Sequence, residues 1–516
     1  MEILVVERGK GVPAAQRYPF AVLIRNNWDD NGFKTSFFLE VHTVDHRTVQ
    51  IGMVKILERG QTSGATRVPT YSEGGLGSDY CSLGQELTYY ETLKALGKEV
   101  YHPLLTGLRD VIFRPAIRAI FANEPGFVGS LERAGSSVRA LEDAAQVFDA
   151  GGPQTSSRDA PLTLKFRSRV GGSEFVLPLI FNDSHHLPDR MNAIIGYNGT
   201  GKTRLLANLA MVAHADPGDR SADQWISSFG SFVDDEEVPF GSVIAVSYSA
   251  FDTFEVPGKT EDDQALLERS GAVRGYVYCG LRSFAAQERD REGRNPHRLK
   301  GIQEISEEFF RALERLRNEP GRSLIDSALA PIAQEPSFQR LGFLPEQVHD
   351  ERFRYEVFPD LSTGHKIVLN MVTQLSAHLQ KRSLVLIDEP ESHLHPPLLA
   401  ALLRSISILL KLRDSFAVIA THAPVVLQEI PRRYVRVLRR FDDLTLVEEP
   451  DIETFGENVG LLTREVFNLD SSSTDYQSIL RKLARELSVD EVEELFDLGL
   501  SVQARSFVAS VIRSKG

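Results

Sequence analysis

The chain has 516 residues, 42% of them hydrophobic, which is enough for about two or three globular domains. A formal net charge of −13 excludes a protein coated with nucleic acid along its whole length, although a local basic patch stays open. No apolar run reaches the length of a membrane span, and residues 1–10 lack the layout of a signal peptide, so we expect a cytoplasmic protein without a membrane partner. With only Cys81 and Cys279, expected to be half-buried, the sequence predicts neither a disulfide framework nor a zinc site.

The first part of the chain predicts an antiparallel sheet followed by two helices. β-branched and aromatic residues recur in three runs, at Phe20 to Ile24, Ser36 to Val41 and Val49 to Leu57. The helices are expected at Leu83 to Leu96 and Arg109 to Ala122. Strand signals return after residue 162 and lead into a glycine-rich segment, so we expect the sheet and that segment to share one lobe.

The stretch from Met191 to Leu209 contains three closely spaced glycines. An apolar run precedes them and leucines at helical spacing follow, which predicts strand, loop and helix in that order. Glycine permits positive φ and lets successive backbone NH groups turn toward an anion at a helix N-terminus. The pattern therefore predicts a phosphate-binding loop for ATP and Mg²⁺. The residues expected to contact the nucleotide are Gly196, Asn198, Gly199, Gly201, Lys202, Thr203 and Arg204.

Two side chains of this loop have specific expected roles. Lys202 would reach the β and γ phosphates, and the Thr203 hydroxyl would ligate Mg²⁺. The alternative is a chance glycine-rich turn, which the flanking strand and helix disfavour.

A later strand ends in two carboxylates. Ser383 to Pro390 contains four consecutive apolar residues, typical of a buried parallel strand, followed by Asp388 and Glu389 at the edge where α/β proteins bind ligands. Asp388 is expected to hold Mg²⁺ directly or through water, and Glu389 to orient and polarise the water that attacks the γ phosphate. A helix cap or a solvated rim is the alternative.

Two further segments narrow the prediction. Leu361 to Lys366 places Ser362 and Gly364 before a helix expected at residues 367–379, where backbone NH groups are exposed. The alternative for this segment is a simple helix cap. Phe416 to His422 is an apolar strand that ends in a histidine, whose imidazole can hydrogen-bond a γ phosphate.

The order of these segments resembles that of ABC-type ATPases, in which a phosphate loop, a signature motif, an acidic strand and a switch histidine follow one another. The runs DEPESHLHP, from Asp388, and ATHAPVVLQEI, from Ala420, resemble the overcoming-lysogenization-defect (OLD) and RecF-like branch. Short segments around Phe251 and Arg282 are similar to prokaryotic defence ATPases of the Septu and retron-associated type. As departures, His365 stands where transporters carry glutamine or glycine, and no glutamine follows the strand expected at residues 242–248.

The resemblance implies an α/β fold, an ABC-type P-loop ATPase with a mixed central sheet, an N-terminal antiparallel β region and an inserted helical lobe. It also implies a homodimer with two composite ATP sites, on which a higher assembly can be built, with Ser362 and Gly364 contacting nucleotide held by the other copy. His422 would be the switch histidine. The implied function is an ATP-dependent sensor or switch in anti-phage defence that controls a separately encoded effector, such as an HNH-type nuclease. A RecF-like DNA-repair or DNA-binding clamp is the alternative, and nucleic acid stays open as a partner.

Four parts are expected along the chain. They are an N-terminal sheet with the phosphate-loop part of the ATPase lobe at 1–255, an inserted helical and signature lobe at 256–380, the acidic-strand and switch-histidine part at 381–450, and a helical tail at 451–516. OLD-family nucleases carry a C-terminal metal-dependent nuclease domain, whereas the tail predicts a loop at 451–470 and three short amphipathic helices. We therefore expect ATP hydrolysis without a nuclease domain.

Two further groups of residues are candidate ligand sites. His393 and His395 suggest a metal pair but lack a third ligand, which favours a dimer-facing loop. The arginine-rich run at residues 287–300 is the best local candidate for phosphate contacts, with a solvated surface as the alternative.

Overall fold

The chain is described by a computed structural model. It describes residues 1–7, 12, 17–26, 32–132, 144, 147–148, 161–182, 184, 187–215, 220, 223–233, 238, 240–249, 254, 256–257, 272–273, 275–283, 298–317, 321–467 and 476–514. Phe251 and the arginine-rich run up to residue 297 lie outside these residues.

The central sheet has eight strands and is mixed, as predicted. Its inner six strands pair in parallel, and one antiparallel strand closes each edge. From edge to edge the strands are Ala272–Val273, Tyr276–Gly280, Ser242–Ser247, Ser383–Asp388, Phe416–Thr421, Met191–Gly196, Val435–Phe441 and Leu444–Glu448. Phe416–Thr421 lies between Ser383–Asp388 and Met191–Gly196, so the carboxyl ends of these three strands are neighbours. This order brings three of the predicted motifs to one edge of the sheet.

Both faces of the central sheet are covered, which explains its unbroken apolar strands. Side chains alternate along a strand, so Ala193 and Ile195 join an apolar cluster on one face while Ile194 joins the cluster on the other. The first face packs against helices that precede strand Ser383–Asp388 in the chain, from Ile302–Arg315 to Thr363–His378. This confirms an inserted helical lobe. The second face packs against helix Lys202–His214 and a three-stranded antiparallel sheet. That sheet has the order Phe175–Phe181, Leu162–Ser168 and Ser231–Phe232.

The N-terminal region forms a separate six-stranded sheet, with the order Tyr71–Glu73, Glu2–Val6, Phe20–Arg25, Ser36–His42, Thr48–Glu58 and Tyr80–Gly84. Its strands pair antiparallel, as predicted, except that Glu2–Val6 and Phe20–Arg25 are parallel. This sheet has an apolar core of its own, distinct from the two clusters of the central sheet. The domain boundaries, including a common lobe for residues 1–255, stay a prediction.

The helix expected after the glycine-rich loop, the one expected at residues 367–379 and the three expected in the tail lie close to their predicted positions, whereas others, such as Pro396–Leu412, were not predicted. The described helices are Leu87–Ala95, Lys98–Gly107, Pro115–Phe121, Lys202–His214, Gln224–Phe229, Ile302–Arg315, Gly321–Ala333, Pro336–Arg340, Thr363–His378, Pro396–Leu412, Pro424–Leu427, Val459–Phe467, Tyr476–Glu486, Val489–Glu494 and Val502–Arg513. Short 3-10 or π turns lie at Phe127–Leu131, Pro345–His349, Phe353–Val357, Phe358–Asp360 and Arg432–Tyr434. None of the described helices combines the length and the apolar composition needed to cross a bilayer.

Three sequence expectations were wrong. The helix expected from Leu83 begins later, because Tyr80–Gly84 is a strand that pairs with Thr48–Glu58. The loop expected at 451–470 contains helix Val459–Phe467, which forms because two of its apolar side chains are buried in a central-sheet cluster.

The third concerns the two cysteines, which are not half-buried. Cys81 and Cys279 are both buried, at 0% and 5% exposure, and burial raises the pKa of the Cys279 thiol to about 12.

Candidate nucleotide site

The phosphate loop turns through two glycines with positive φ, Gly199 at 84° and Gly201 at 91°. A Cβ on Gly201 would lie 2.5 Å from Cγ1 of Val170, in the turn after strand Leu162–Ser168. Glycine is therefore required at this position both by the backbone angle and by the available space. Helix Lys202–His214 begins at the next residue, so the loop presents the start of a helix to the carboxyl edge of the sheet.

Lys202 lies folded onto this loop and is 5% exposed. Its Nζ donates hydrogen bonds to the carbonyl oxygens of Gly196, at 2.9 Å, and Tyr197, at 3.0 Å. Burial lowers the pKa of Lys202, and the nearby carboxylates of Glu389, Asp388 and Glu391 oppose that shift. The ammonium is thus held inside the loop by carbonyl oxygens, where an incoming anion would find it.

Thr203 and Asp388 meet across the site. The Thr203 hydroxyl lies 2.9 Å and 3.1 Å from the two carboxylate oxygens of Asp388, to which it donates. Asp388 is 3% exposed and ends the strand Ser383–Asp388. The structure therefore brings together the two residues predicted to bind metal.

These two residues fit Mg²⁺ chemically. Mg²⁺ prefers oxygen ligands, and a carboxylate beside a hydroxyl supplies a charged and a neutral oxygen at one point. In this role the ion would supply positive charge that stabilises phosphate oxygens during transfer. Among the described residues, no group of three or more His, Cys, Asp or Glu side chains is arranged to hold a metal ion.

Glu389 and His422 also lie together. Oε1 of Glu389 is 3.4 Å from Nδ1 of His422. The backbone NH of Glu389 donates to the carbonyl of Ala420, at 2.9 Å, on the neighbouring strand. The φ of Glu389 is 47°, an uncommon value for a residue with a Cβ and one that recurs at functional sites. Both side chains keep some exposure, 27% for Glu389 and 44% for His422, so water can reach them.

Glu391, to which the sequence analysis assigned no role, is part of the same group. Its Oε1 accepts from the Thr421 hydroxyl, at 2.6 Å, and from the backbone NH groups of His422, at 2.9 Å, and Ala423, at 3.2 Å. Two residues after Glu389, it is a third acid at the end of the same strand, and that position was the available signal.

The signature segment lies at the start of helix Thr363–His378. The Ser362 hydroxyl accepts from the backbone NH of His365, at 3.3 Å, and so caps helix Thr363–His378. A Cβ on Gly364 would lie 3.0 Å from the carbonyl oxygen of His393. Among the described residues, neither Ser362 nor Gly364 forms a hydrogen bond with the phosphate loop or with the acidic pair. Ser362 is therefore a helix cap, which is one of the two alternatives from the sequence. Contact of Ser362 and Gly364 with nucleotide held by a second copy stays a prediction.

A polar chain links the signature segment to the loop after the acidic strand. His365 Nε2 lies 2.7 Å from the Ser337 hydroxyl, which bonds Glu335, and Glu335 lies 3.8 Å from Nε2 of His395. Burial lowers the pKa of His365, which keeps the ring neutral at pH 7. His395 caps helix Pro396–Leu412 through its Nδ1, at 3.4 Å from the NH of Leu398.

The remaining predicted residues lie at the surface of the loop. Asn198 and Arg204 are exposed, Arg204 in the first turn of helix Lys202–His214. A cavity of about 560 Å³ opens beside the loop. It is lined by Tyr197, Asn198, Gly199, Thr200, Arg439, Arg440, Phe441 and Asp442.

A family model matches the part of the chain that contains this site. Residues 191–428 match a family model described as "AAA domain, putative AbiEii toxin, Type IV TA system". Solved structures with a likeness to the chain include a nucleotide-free ATP-binding cassette from an ABC transporter, with 15% identity, 56% of this chain and 91% of that chain covered, and a TM-score of 0.25. Another is an ATP-binding cassette in its ADP conformation, with 14% identity, 59% and 94% coverage, and a TM-score of 0.23. At TM-scores this low, neither likeness bears on the assignment.

A curated relative covers the full length of the chain. Protein ea59 of Escherichia phage lambda is 32% identical over 548 aligned positions, which include 100% of this chain and 99% of the relative. The site, the sheet order and the matched AAA-domain model together describe a P-loop ATPase fold. The chain therefore belongs to the family of protein ea59 of Escherichia phage lambda.

Proposed function

We propose that this chain hydrolyses ATP and acts as an ATP-dependent switch, which dimerises through two composite sites and controls a separately encoded effector. The observation that carries the ATPase part is the convergence of Lys202, Thr203, Asp388, Glu389 and His422 at one sheet edge. Each side chain has the chemistry that its predicted role needs. The ammonium of Lys202 suits phosphate, and the oxygens of Thr203 and Asp388 suit Mg²⁺. The carboxylate of Glu389, beside the imidazole of His422, suits the attacking water.

The hydrogen-bonding pattern of the signature segment supports the proposed dimer. The phosphate loop, acidic pair and histidine of one chain form one group, and within the part of the chain that the structure describes Ser362 and Gly364 make no hydrogen bond to that group. A second copy placed head to tail would bring this segment to the nucleotide, and two equivalent sites would result from the symmetry.

The defence role is supported by likeness. The description of the matched family model includes the words "putative AbiEii toxin, Type IV TA system", and the curated relative is a protein of Escherichia phage lambda. A phage that carries such a switch could act against a competing phage, with a cytoplasmic effector such as an HNH-type nuclease providing the toxic output.

Glu389→Gln tests the enzymatic part. We expect this variant to bind ATP, accumulate as a dimer and lose turnover by about a hundredfold or more, because an amide cannot accept the proton of the attacking water. Phosphate release measures turnover, and size-exclusion chromatography with ATP and Mg²⁺ measures the dimer. Glu494→Gln, at an exposed position on helix Val489–Glu494, is the matched control.

Turnover of Glu389→Gln at the parental rate would refute the assigned role of Glu389. For the switch, a tagged Glu389→Gln protein recovered with ATP should retain a nuclease encoded beside it. DNA affinity that falls steeply with salt and rises with ATP would instead favour the clamp.

A further inference from the structure

Glu391 holds the segment that carries the histidine of the site. One carboxylate oxygen, Oε1, accepts from the hydroxyl of Thr421 and from two consecutive backbone NH groups, those of His422 and Ala423. These three donors come from the end of strand Phe416–Thr421 and the turn after it, whereas Glu391 follows the neighbouring strand. The carboxylate therefore joins the ends of two parallel strands at the position where the chemistry is proposed.

The second oxygen of Glu391 shows that this carboxylate is not an ordinary surface acid. The side chain is 9% exposed, and Oε2 is buried without a hydrogen-bond partner among the described residues. Burying a carboxylate oxygen without a partner is unfavourable, and such groups in folded proteins call for a functional explanation. A solvated acid placed for charge alone would not be held in this way.

The imidazole of His422 is part of the same arrangement. Its Nδ1 lies 3.2 Å from Oε1 of Glu391 and 3.4 Å from Oε1 of Glu389. An ionised carboxylate only accepts hydrogen bonds, so these two neighbours favour the proton on Nδ1. Nε2 is then the ring atom left for water or for phosphate.

We propose that Glu391 is the positioning residue of the site, which fixes the backbone and the ring of His422 for ATP hydrolysis. This inference rests on the proposed ATPase function. Among the described residues, the hydrogen bonds that the Glu391 carboxylate accepts all come from residues 421–423, so Glu391 acts through His422 and not on the nucleotide itself. The role calls for accepted hydrogen bonds, which a glutamine oxygen can also provide.

The test compares Glu391→Ala with Glu391→Gln. We expect Glu391→Ala to lower kcat for ATP by about tenfold or more while KM changes less than about threefold, because binding through the phosphate loop is untouched. Glu391→Gln should recover kcat to within about threefold of the parent, since its amide oxygen accepts the same three bonds. A loss in Glu391→Gln as large as in Glu391→Ala overturns the proposal.

A double-mutant cycle separates a positioning role from general damage to the fold. In a His422→Ala background, Glu391→Ala should lower kcat by less than about threefold further, because the residue it positions is gone. An undiminished effect in that background overturns the proposal. If Glu391→Ala does not fold, Thr421→Val removes one of the three bonds and keeps the carboxylate. We expect it to lower kcat by about threefold or more, and unchanged turnover would count against the proposal.

Hydrogen exchange gives a readout that does not depend on catalysis. Without ATP, the amides of His422 and Ala423 should exchange faster in Glu391→Ala than in the parent, and at near-parental rates in Glu391→Gln. Equal exchange in all three proteins overturns the proposal. If the parent hydrolyses ATP no faster than Lys202→Ala does, the proposed ATPase function is refuted. The hydrogen-exchange comparison would still decide whether Glu391 holds residues 422 and 423.

Discussion

Thr203 and Asp388 are 185 positions apart in the sequence, and the hydroxyl of one donates to both carboxylate oxygens of the other. Hydrogen bonds to a charged group contribute about 1.5–3 kcal/mol, which helps to hold the Asp388 carboxylate in place. The same two oxygen groups suit Mg²⁺, so the contact between Thr203 and Asp388 also places two candidate metal ligands side by side.

Asp388→Asn should raise the Mg²⁺ concentration for half-maximal ATP turnover by about tenfold or more, because an amide oxygen carries no net charge for the cation. Thr203→Ser keeps the hydroxyl and should stay near the parental midpoint. Titration of turnover with MgCl₂ at saturating ATP measures both. A parental midpoint in Asp388→Asn would argue against its metal role.

At the scale of elements, helix Thr363–His378 illustrates how one residue can carry two roles. Ser362 caps this helix through its hydroxyl, which is the structural alternative considered from the sequence. An N-cap of this kind contributes about 1 kcal/mol to stability. In the cap the Ser362 hydroxyl oxygen accepts a hydrogen bond. The O–H group can therefore still donate a hydrogen bond to a phosphate of the nucleotide bound by a second copy.

Ser362→Asp separates these roles. Aspartate is an equally good N-cap, so the melting temperature should stay near that of the parent, whereas its charge would repel the γ phosphate and lower turnover by about tenfold or more. Ser362→Ala should lose both stability and turnover. Calorimetry and phosphate release measure the two effects. Parental turnover in Ser362→Asp would leave the cap as the whole explanation of this motif.

The central strands were predictable from the sequence because a strand buried on both faces has a continuous apolar run, as in Ser383–Asp388 and Phe416–Thr421. Contacts between distant segments were not. Nothing near Gly201 indicates that Val170 fills the space beside it, and the three bonds to Glu391 depend on the sheet order. Helix Val459–Phe467 was missed because tertiary packing, not a strong local pattern, determines it.

For the whole molecule, we propose that one chain supplies only part of the contacts to ATP and that a second copy supplies the rest. The phosphate loop, the acidic pair and His422 meet at one sheet edge, and Ser362 bonds within its own helix start. ATP turnover is then expected to be a property of the dimer and not of a single copy. Neither copy should hydrolyse ATP efficiently when its partner lacks the signature segment.

The most direct measurement mixes Lys202→Ala protein with Ser362→Arg protein and follows phosphate release. Each variant alone should be inactive, since its two sites share the same defect. At equal mixing about half of the dimers are heterodimers with one intact site, so turnover should recover to about a quarter of the parental rate. No recovery, under conditions where heterodimers are shown to form, would contradict the shared-site account, as would parental turnover by Ser362→Arg alone.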